Sequence, residues 1–419
     1  MQGTEDRTQQ LLAARGCPVV HEAFPHHEAF SQKKTGLAEL AGPALERAAD
    51  GTWYVRDFAL TRQLLRSGET RQAGFKADLL AQMPQVMRQP ILYQDGKAHH
   101  EQRRQTARFF APKTVSAQYR VLMEELAERL IGRLRSAGEI DFSQITLEMA
   151  VNVAARVIGL THSQRAGMHR RLDAFFKHEI VPFGRSPRAL WHFVGNQSRI
   201  LAFFWLDVRP AIRAHRRAPG DDLISHLLAQ GYSEGEILTE CVTFAAAGMA
   251  TTREFIGMAA WHLLEHPRLR ARYLESGEEE RHAILGEILR LEPVVGHIYR
   301  RAATDLSLTY RGETVVIPRG SLLDLHIHSA NVDAQIAGEH ALQVCPARKL
   351  AGERIPPEMM SFGDGYHRCP GSYLAIQETD ILLTRLLALP SLRIKRLPTM
   401  GWNNTTAGYE LRNFVLALA

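Results

Sequence analysis

The stretch Ser361–Ala375 reads SFGDGYHRCPGSYLA, and it holds one of only four cysteines in a chain of 419 residues. A cysteine acts as a strong ligand or nucleophile when ionised, and a helix N-terminus favours the thiolate through its unsatisfied N–H groups and its dipole. Pro370 suits a first helical position, where its missing N–H costs nothing. That placement puts Cys369 at the N-cap of a helix read from GSYLAIQETDILLTRLLALP. Gly363 and Gly365 permit a tight turn and a close approach of backbone to a flat ligand. His367 and Arg368 add positive or hydrogen-bonding character. Residue types alone fit equally well a surface loop around an inert buried thiol.

Working outward, the chain is 45% hydrophobic, enough for a large core. Its 51 Lys+Arg against 45 Asp+Glu give a formal charge of +6. This mild excess suits an acidic protein partner and argues against nucleic acid as ligand. Cys17, Cys241, Cys345 and Cys369 form no C-x-x-C pair, so zinc-ribbon and thioredoxin-like readings fail. Their wide spacing, with no secretory signal, favours reduced thiols and a cytoplasmic location. No apolar run reaches the roughly 18–20 residues needed to span a bilayer. The expectation is a soluble protein without membrane contact.

Helical periodicity dominates. YRVLMEELAERLIGRLRSAG places Val121, Leu122, Leu126, Leu130 and Ile131 near a 3.6-residue repeat. Strand signals are local: Trp53-Tyr54-Val55 after a DG turn, a hairpin over Leu306–Gly320 turning at Arg311-Gly312, and a C-terminal GYELRNFVLALA. Ser233 and Glu236 fit a capping box, which predicts a helix from about Glu234 to Glu265. Its middle, VTFAAAGMATT, is small or apolar on every face and should be buried all round. The reading is mostly α with a small β portion.

The order Phe362-Gly363-x-Gly365-x-His367-x-Cys369-x-Gly371 resembles the haem-thiolate signature of the cytochrome P450 family. The resemblance implies the triangular, single-domain haem-binding fold of that family over residues 41–419, with residues 1–40 an extension of weak resemblance. It implies haem b as cofactor and Cys369 as the metal ligand, with Phe362, Gly363 and Gly371 around it. Glu287-x-x-Arg290 looks like the family's E-x-x-R, with Arg348 in CPARKL as its third partner; these are structural. The segment DGKAHHEQRRQTARFFAP is similar to the family's H-x-x-x-R. Counting back from Phe110-Ala111-Pro112 selects His99 and Arg103, at i and i+4 on one helix face. The resemblance makes them propionate ligands, with Arg300 of YRRAATD and His367.

The long helix then lies over the distal face of the haem, bringing Ala247 and Gly248 to the cofactor and Thr251 and Thr252 to catalysis. Here the chain departs from the family. Its usual A/G-G-x-D/E-T-T reads Ala247-Gly248-Met249-Ala250-Thr251-Thr252, so Ala250 stands where an acid normally helps feed protons to dioxygen activation. Glu254 should project beyond that site. Ala334 stands where the family commonly has proline. Phe175, Phe176, Phe183, Trp191, Phe193, Phe203, Phe204 and Trp205 fall in the family's mobile lid, with Met83, Val86 and Met87 opposite. Together they suit a bulky apolar substrate. The resemblance implies a monooxygenase fed by a ferredoxin and its reductase. Its rivals are peroxide-driven oxidation or oxidative coupling, which needs no proton relay, and a haem-thiolate sensor without turnover.

Overall fold

The computed structural model describes residues 42–75, 77, 88–163, 167–176, 187–338 and 340–418. The extension 1–40, and with it Cys17, lies outside the described residues, as do Met83, Val86, Met87 and Phe183. The side chains of Phe175, Phe176, Trp191 and Phe193 also lie outside them.

In chain order the elements that matter below begin with β1 (Leu45–Arg47), β2 (Trp53–Val55), α1 (Phe58–Arg66) and β3 (Thr70–Gln72). Helices α2 (Gly96–Thr106) and α3 (Arg120–Ala137) come next, then β4 (Glu139–Asp141) and α4 (Phe142–Ile158). The central helix is α5 (Glu234–Ala245), a single π-helical turn (Ala246–Ala250) and α6 (Thr251–Glu265). After α7 (Glu278–Leu291) come β5 (His297–Ala302), β6 (Leu306–Tyr310), β7 (Glu313–Ile317) and β8 (Leu322–His326). The chain closes with α8 (Ser372–Leu387), β9 (Leu392–Arg396), β10 (Thr399–Asn403), β11 (Gly408–Arg412) and β12 (Val415–Leu418). The architecture is mostly α with small sheets, as the sequence indicates.

Two cores divide the work. The larger is helical: α6 packs on α4 and α8, and α8 packs in turn on α3 and α7. On α3 the buried stripe is Met123, Leu126, Ala127, Leu130, Ile131 and Leu134, while Val121 is 61% exposed. The expected stripe is therefore right from Leu126 onward and misplaced at its start, where α3 follows another π-helical turn, Val115–Tyr119, that rotates the helix face. Each fully buried Leu or Ile contributes about 2 kcal/mol of transfer free energy. The smaller core lies between α1 and a five-stranded sheet ordered β1-β2-β8-β5-β3, in which only β2 and β8 run parallel.

The β6–β7 hairpin turns at Arg311-Gly312, both at positive φ (52° and 81°), as a two-residue hairpin turn requires. The capping box is present: Ser233 Oγ accepts from Glu236 N, and the Glu236 carboxylate accepts from Ser233 N. The C-terminal stretch forms two strands, β11 and β12, in different sheets. Among the described residues no helix is long and apolar enough to cross a membrane. Cys345, expected as a reduced thiol, is disulfide-bonded; Cys241 and Cys369 are free.

Candidate active site

The cysteine loop is built on a buried charge network. Arg290 is fully buried, and its five N–H donors all find acceptors. Two go to the Glu287 carboxylate at 2.7 and 3.1 Å, and the others to the carbonyls of Asn331, Ala341 and Gln343. Arg348 donates to the same carboxylate at 3.1 Å and to the carbonyls of Ala337, His340 and Gln343. Asn331 passes the order on. Its Nδ2 donates to the Arg290 carbonyl and to Ser361 Oγ, and its Oδ1 accepts from Met360 N. Ser361 Oγ donates to the Leu289 carbonyl. The ion pair therefore ends at the first residue of the cysteine loop.

The loop is pinned again at its turn. Asp364 accepts from Arg62 and Arg66 of α1 and from Gly365 N. Gly365 lies at φ +66°, and a Cβ there would collide with the Leu65 carbonyl oxygen and stand 2.9 Å from Arg66 Cα. Only glycine lets the loop seat on α1. Gly363, at φ +69°, makes the preceding reversal. Cys369 N donates to the Phe362 carbonyl at 2.8 Å. Helix α8 starts at Ser372 with Gly371 as N-cap, so Cys369, expected at the N-cap, stands two residues ahead of it. The Gly371 N–H still reaches the sulfur. Burial pushes the Cys369 thiol up, while that N–H and the Arg103 and Arg368 guanidiniums pull it down.

Basic and imidazole groups gather beside this thiol. His99 and His367 stack with ring centroids 4.1 Å apart. His99 is buried, its Nδ1 has no hydrogen-bond partner, and its pKa is lowered to about 3 by burial first and then by His367, Arg103 and His100. It is a neutral imidazole at pH 7. Arg103 donates to the Arg368 carbonyl. Arg300 is 3% exposed, donates to Gln72 Oε1, and is lowered to about 10 by burial, so it keeps its charge. Sequence reasoning missed Asp95. It precedes α2 but does not cap it; its Oδ1 faces His367 Nε2 at 3.3 Å instead. It also missed Gln72, on β3, whose pairing with β5 no local pattern announces.

The central helix carries the other wall. Thr251 Oγ1 donates to the Ala247 carbonyl at 2.5 Å across the π-helical turn. Ala247 is exposed, whereas a Cβ at Gly248 would point to Ala154 of α4, 3.5 Å away. Thr252 is buried. Ala250 lines a cavity of about 20 Å³, room for about one water, with Glu254, Tyr409, Glu410 and Arg412. Glu254 is held away from Thr251: it accepts from Leu411 N and from Arg412 Nη1, each at 2.6 Å. Burial raises its pKa. In the lid segment Phe203 is buried in the helical core, and the half-exposed Trp205 packs against the Arg209 guanidinium at 4.1 Å.

The donor set tests well against haem. A thiol, an orphaned buried imidazole nitrogen, the buried Arg300 guanidinium and the partly buried Arg103 guanidinium suit an iron bearing two carboxylate arms. The profile of the cytochrome P450 family matches residues 282–397. The biotin biosynthesis cytochrome P450 of Bacillus subtilis is 25% identical over 352 residues, 82% of this chain and 84% of that protein. Cytochrome P450 107B1 of Saccharopolyspora erythraea is 27% identical over 354 residues, 82% of this chain and 79% of that protein. The crystal structure of CalO2 superposes with a TM-score of 0.74 at 22% identity, covering 95% of this chain and 98% of that one. The family-model match, the bacterial relatives and the structural neighbours all support a bacterial cytochrome P450. It is a haem-dependent oxidoreductase of the monooxygenase class.

Proposed function

We propose that this protein uses haem b, dioxygen and electrons from a ferredoxin-type donor to oxidise a bulky, apolar organic molecule in the cytoplasm. The observation that carries the reading is the Cys369 loop: a half-buried thiol facing a backbone N–H and two guanidiniums, seated on a network in which every donor of Arg290 is satisfied. Cys369 is the ligand of the iron. His99, Arg103, Arg300 and His367 hold the carboxylate arms; Arg300 does so as a permanent cation and His99 through its unpartnered Nδ1. Bound there, haem supplies the redox chemistry that activates dioxygen, and a thiolate ligand donates electron density that favours O–O cleavage.

The chain's own work on the distal side is proton handling. Thr251 gives its hydroxyl proton to the Ala247 carbonyl, so its oxygen lone pairs are free to order a water. That water takes over from the missing acid at Ala250. Glu254 is locked to β11 and stays out of the relay. Small apolar side chains at the helix centre keep the wall open to an apolar guest. Electrons enter past Cys369, where Arg108 offers positive charge to an acidic donor and Arg368, paired with Glu358 at 2.9 Å, contributes less. Arg104 contributes less, being paired with Glu101 at 2.9 Å.

The test is turnover with NADH and a surrogate ferredoxin system, with and without peroxide. Product that requires NADH and dioxygen is the expected result. Ala250 favours one other reading, peroxide-driven oxidation. Full turnover on peroxide with none on NADH establishes that reading and removes the first.

A further inference from the structure

Strand β5 carries Arg300 on one face and His297 on the other, because alternate residues of a strand point to opposite sides. The antiparallel register sets His297 directly opposite His326 of β8. Asp324, two residues before His326, shares its face. Tyr54 of β2 pairs with Asp324 in the parallel register, and its ring meets the His326 ring edge-on at 5.3 Å. Sheet pairing alone therefore brings two imidazoles and a carboxylate together.

We propose that His297, Asp324 and His326 form a binding site for a late first-row divalent cation, of which Zn²⁺ is the representative. Their candidate ligand atoms all lie within 4.8 Å of one another. His297 Nδ1 stands 2.8 Å from Asp324 Oδ1, and His326 Nε2 stands 3.5 Å from Asp324 Oδ2. Metal–ligand bonds near 2.0–2.2 Å in a tetrahedral shell put neighbouring ligand atoms about 3.3 Å apart, so the two measured separations bracket the required one. The second observation is His326 itself. It is 8% exposed, and its Nε2, aimed at the cluster, makes no hydrogen bond of acceptable geometry. That nitrogen and His297 Nδ1 both converge on the Asp324 carboxylate, at 3.5 and 2.8 Å, the arrangement a bound cation would bridge. His297 is partly exposed, which gives an ion a way in and leaves a position for water.

Two imidazoles with one carboxylate select borderline, imidazole-loving cations over Mg²⁺ or Ca²⁺, which take oxygen shells. Ligation through His297 Nδ1 uses the neutral imidazole with its proton on Nε2, so the proton facing Asp324 changes ring nitrogen by exchange with solvent and the carboxylate oxygen is freed for the ion; no electrons move. The ion ties β5 to β8 from the side opposite Arg300, three residues along from His297. The site does not depend on haem being bound as proposed above.

The experiment is calorimetric titration of zinc chloride into the purified, tag-free holoprotein, with zinc content measured after desalting and unfolding temperature followed with and without the ion. About one equivalent of Zn²⁺ should bind and raise the unfolding temperature. His326→Gln, Asp324→Asn and His297→Gln should each weaken binding by more than roughly tenfold, since even outer-shell changes cost that much. Magnesium chloride should give no comparable binding. Absence of a stoichiometric site, or an unchanged affinity in all three variants, overturns the proposal. His297→Gln, at the partly exposed ligand, keeps the test decisive if Asp324→Asn does not fold.

Discussion

The two walls around Cys369 and Thr251 are built on opposite principles. On the proximal side buried charge is abundant and fully compensated: Glu287, Arg290 and Arg348 satisfy one another and five backbone carbonyls. On the distal side α5 and α6 are almost uncharged at their junction. The helix there relaxes into a π-helical turn, a form found disproportionately at functional sites. The one acid deep in α5, Glu240, has an Oε2 without a hydrogen-bond partner. The Glu287–Arg290–Arg348 network fixes the cysteine loop by spending all of the Arg290 donors, while His99 Nδ1 on the same side stays unpartnered for a ligand. The distal side leaves capacity unspent, where a guest and water need it.

The largest effect should come from breaking the compensated side. Arg290→Ala leaves the Glu287 carboxylate with Arg348 as its guanidinium partner and takes the arginine from the Asn331 and Ala341 carbonyls, while Gln343 keeps Arg348. A loss of roughly 3–5 kcal/mol, read by chemical denaturation, matches the removal of one partner from a buried pair. Less than about 1 kcal/mol would show that the network is no scaffold.

Glu240 tests the uncompensated side. Burial raises its pKa to about 7 despite hydrogen bonds from Gln102 Nε2 and Ile91 N. The folded state therefore holds this proton more tightly than the unfolded chain does. Its contribution is fully present below about pH 4.5 and is lost as pH rises through 7. Glu240→Gln should gain on the order of 1–3 kcal/mol at pH 8 relative to the parent and gain nothing near pH 4.5. A gain independent of pH would assign the effect to packing instead.

Thr251→Ala sharpens the contrast, because it removes one exposed-side hydrogen bond and should change stability by no more than about 1 kcal/mol. Its effect should appear in chemistry: NADH consumption continues while product falls and peroxide rises. Equal coupling in parent and variant would move the relay away from Thr251. The smallest effect is ionic. Reduction by an acidic ferredoxin should slow as salt rises, modestly because Arg104 and Arg368 already have partners in Glu101 and Glu358. A rate flat in salt would mean docking without steering.

Much of the proximal wall was legible because its signals are local and dense. Glycines required at positive φ, a proline and a cysteine lie within eleven residues, and Glu287 and Arg290 share one helix turn. The capping box and the Arg311-Gly312 hairpin were legible for the same reason. The five-stranded sheet was not: β2 pairs with β8 across some 270 residues, so the meeting of His297, Asp324 and His326 leaves no trace in spacing. The π-helical turn was hidden because four of its five residues, all but Gly248, are good helix formers. The N-cap assignment of Cys369 was two residues early: the helix begins at Ser372 with Gly371 as N-cap, while Cys369 N–H bonds back to Phe362, a partner that only the folded loop supplies. The alanine at position 334 costs nothing visible, since Asp333 caps the short helix over Ala334–Ala337 by accepting from Gln335 N.

The central claim is that the compensated wall exists to hold Cys369 on iron. The reduced, CO-treated protein reads this directly. The parent and Cys241→Ser should show the strongly red-shifted Soret band of a thiolate-ligated haem, and Cys369→Ala should lack it while far-UV circular dichroism stays unchanged. A Cys369→Ala protein that keeps the red-shifted band would contradict the account.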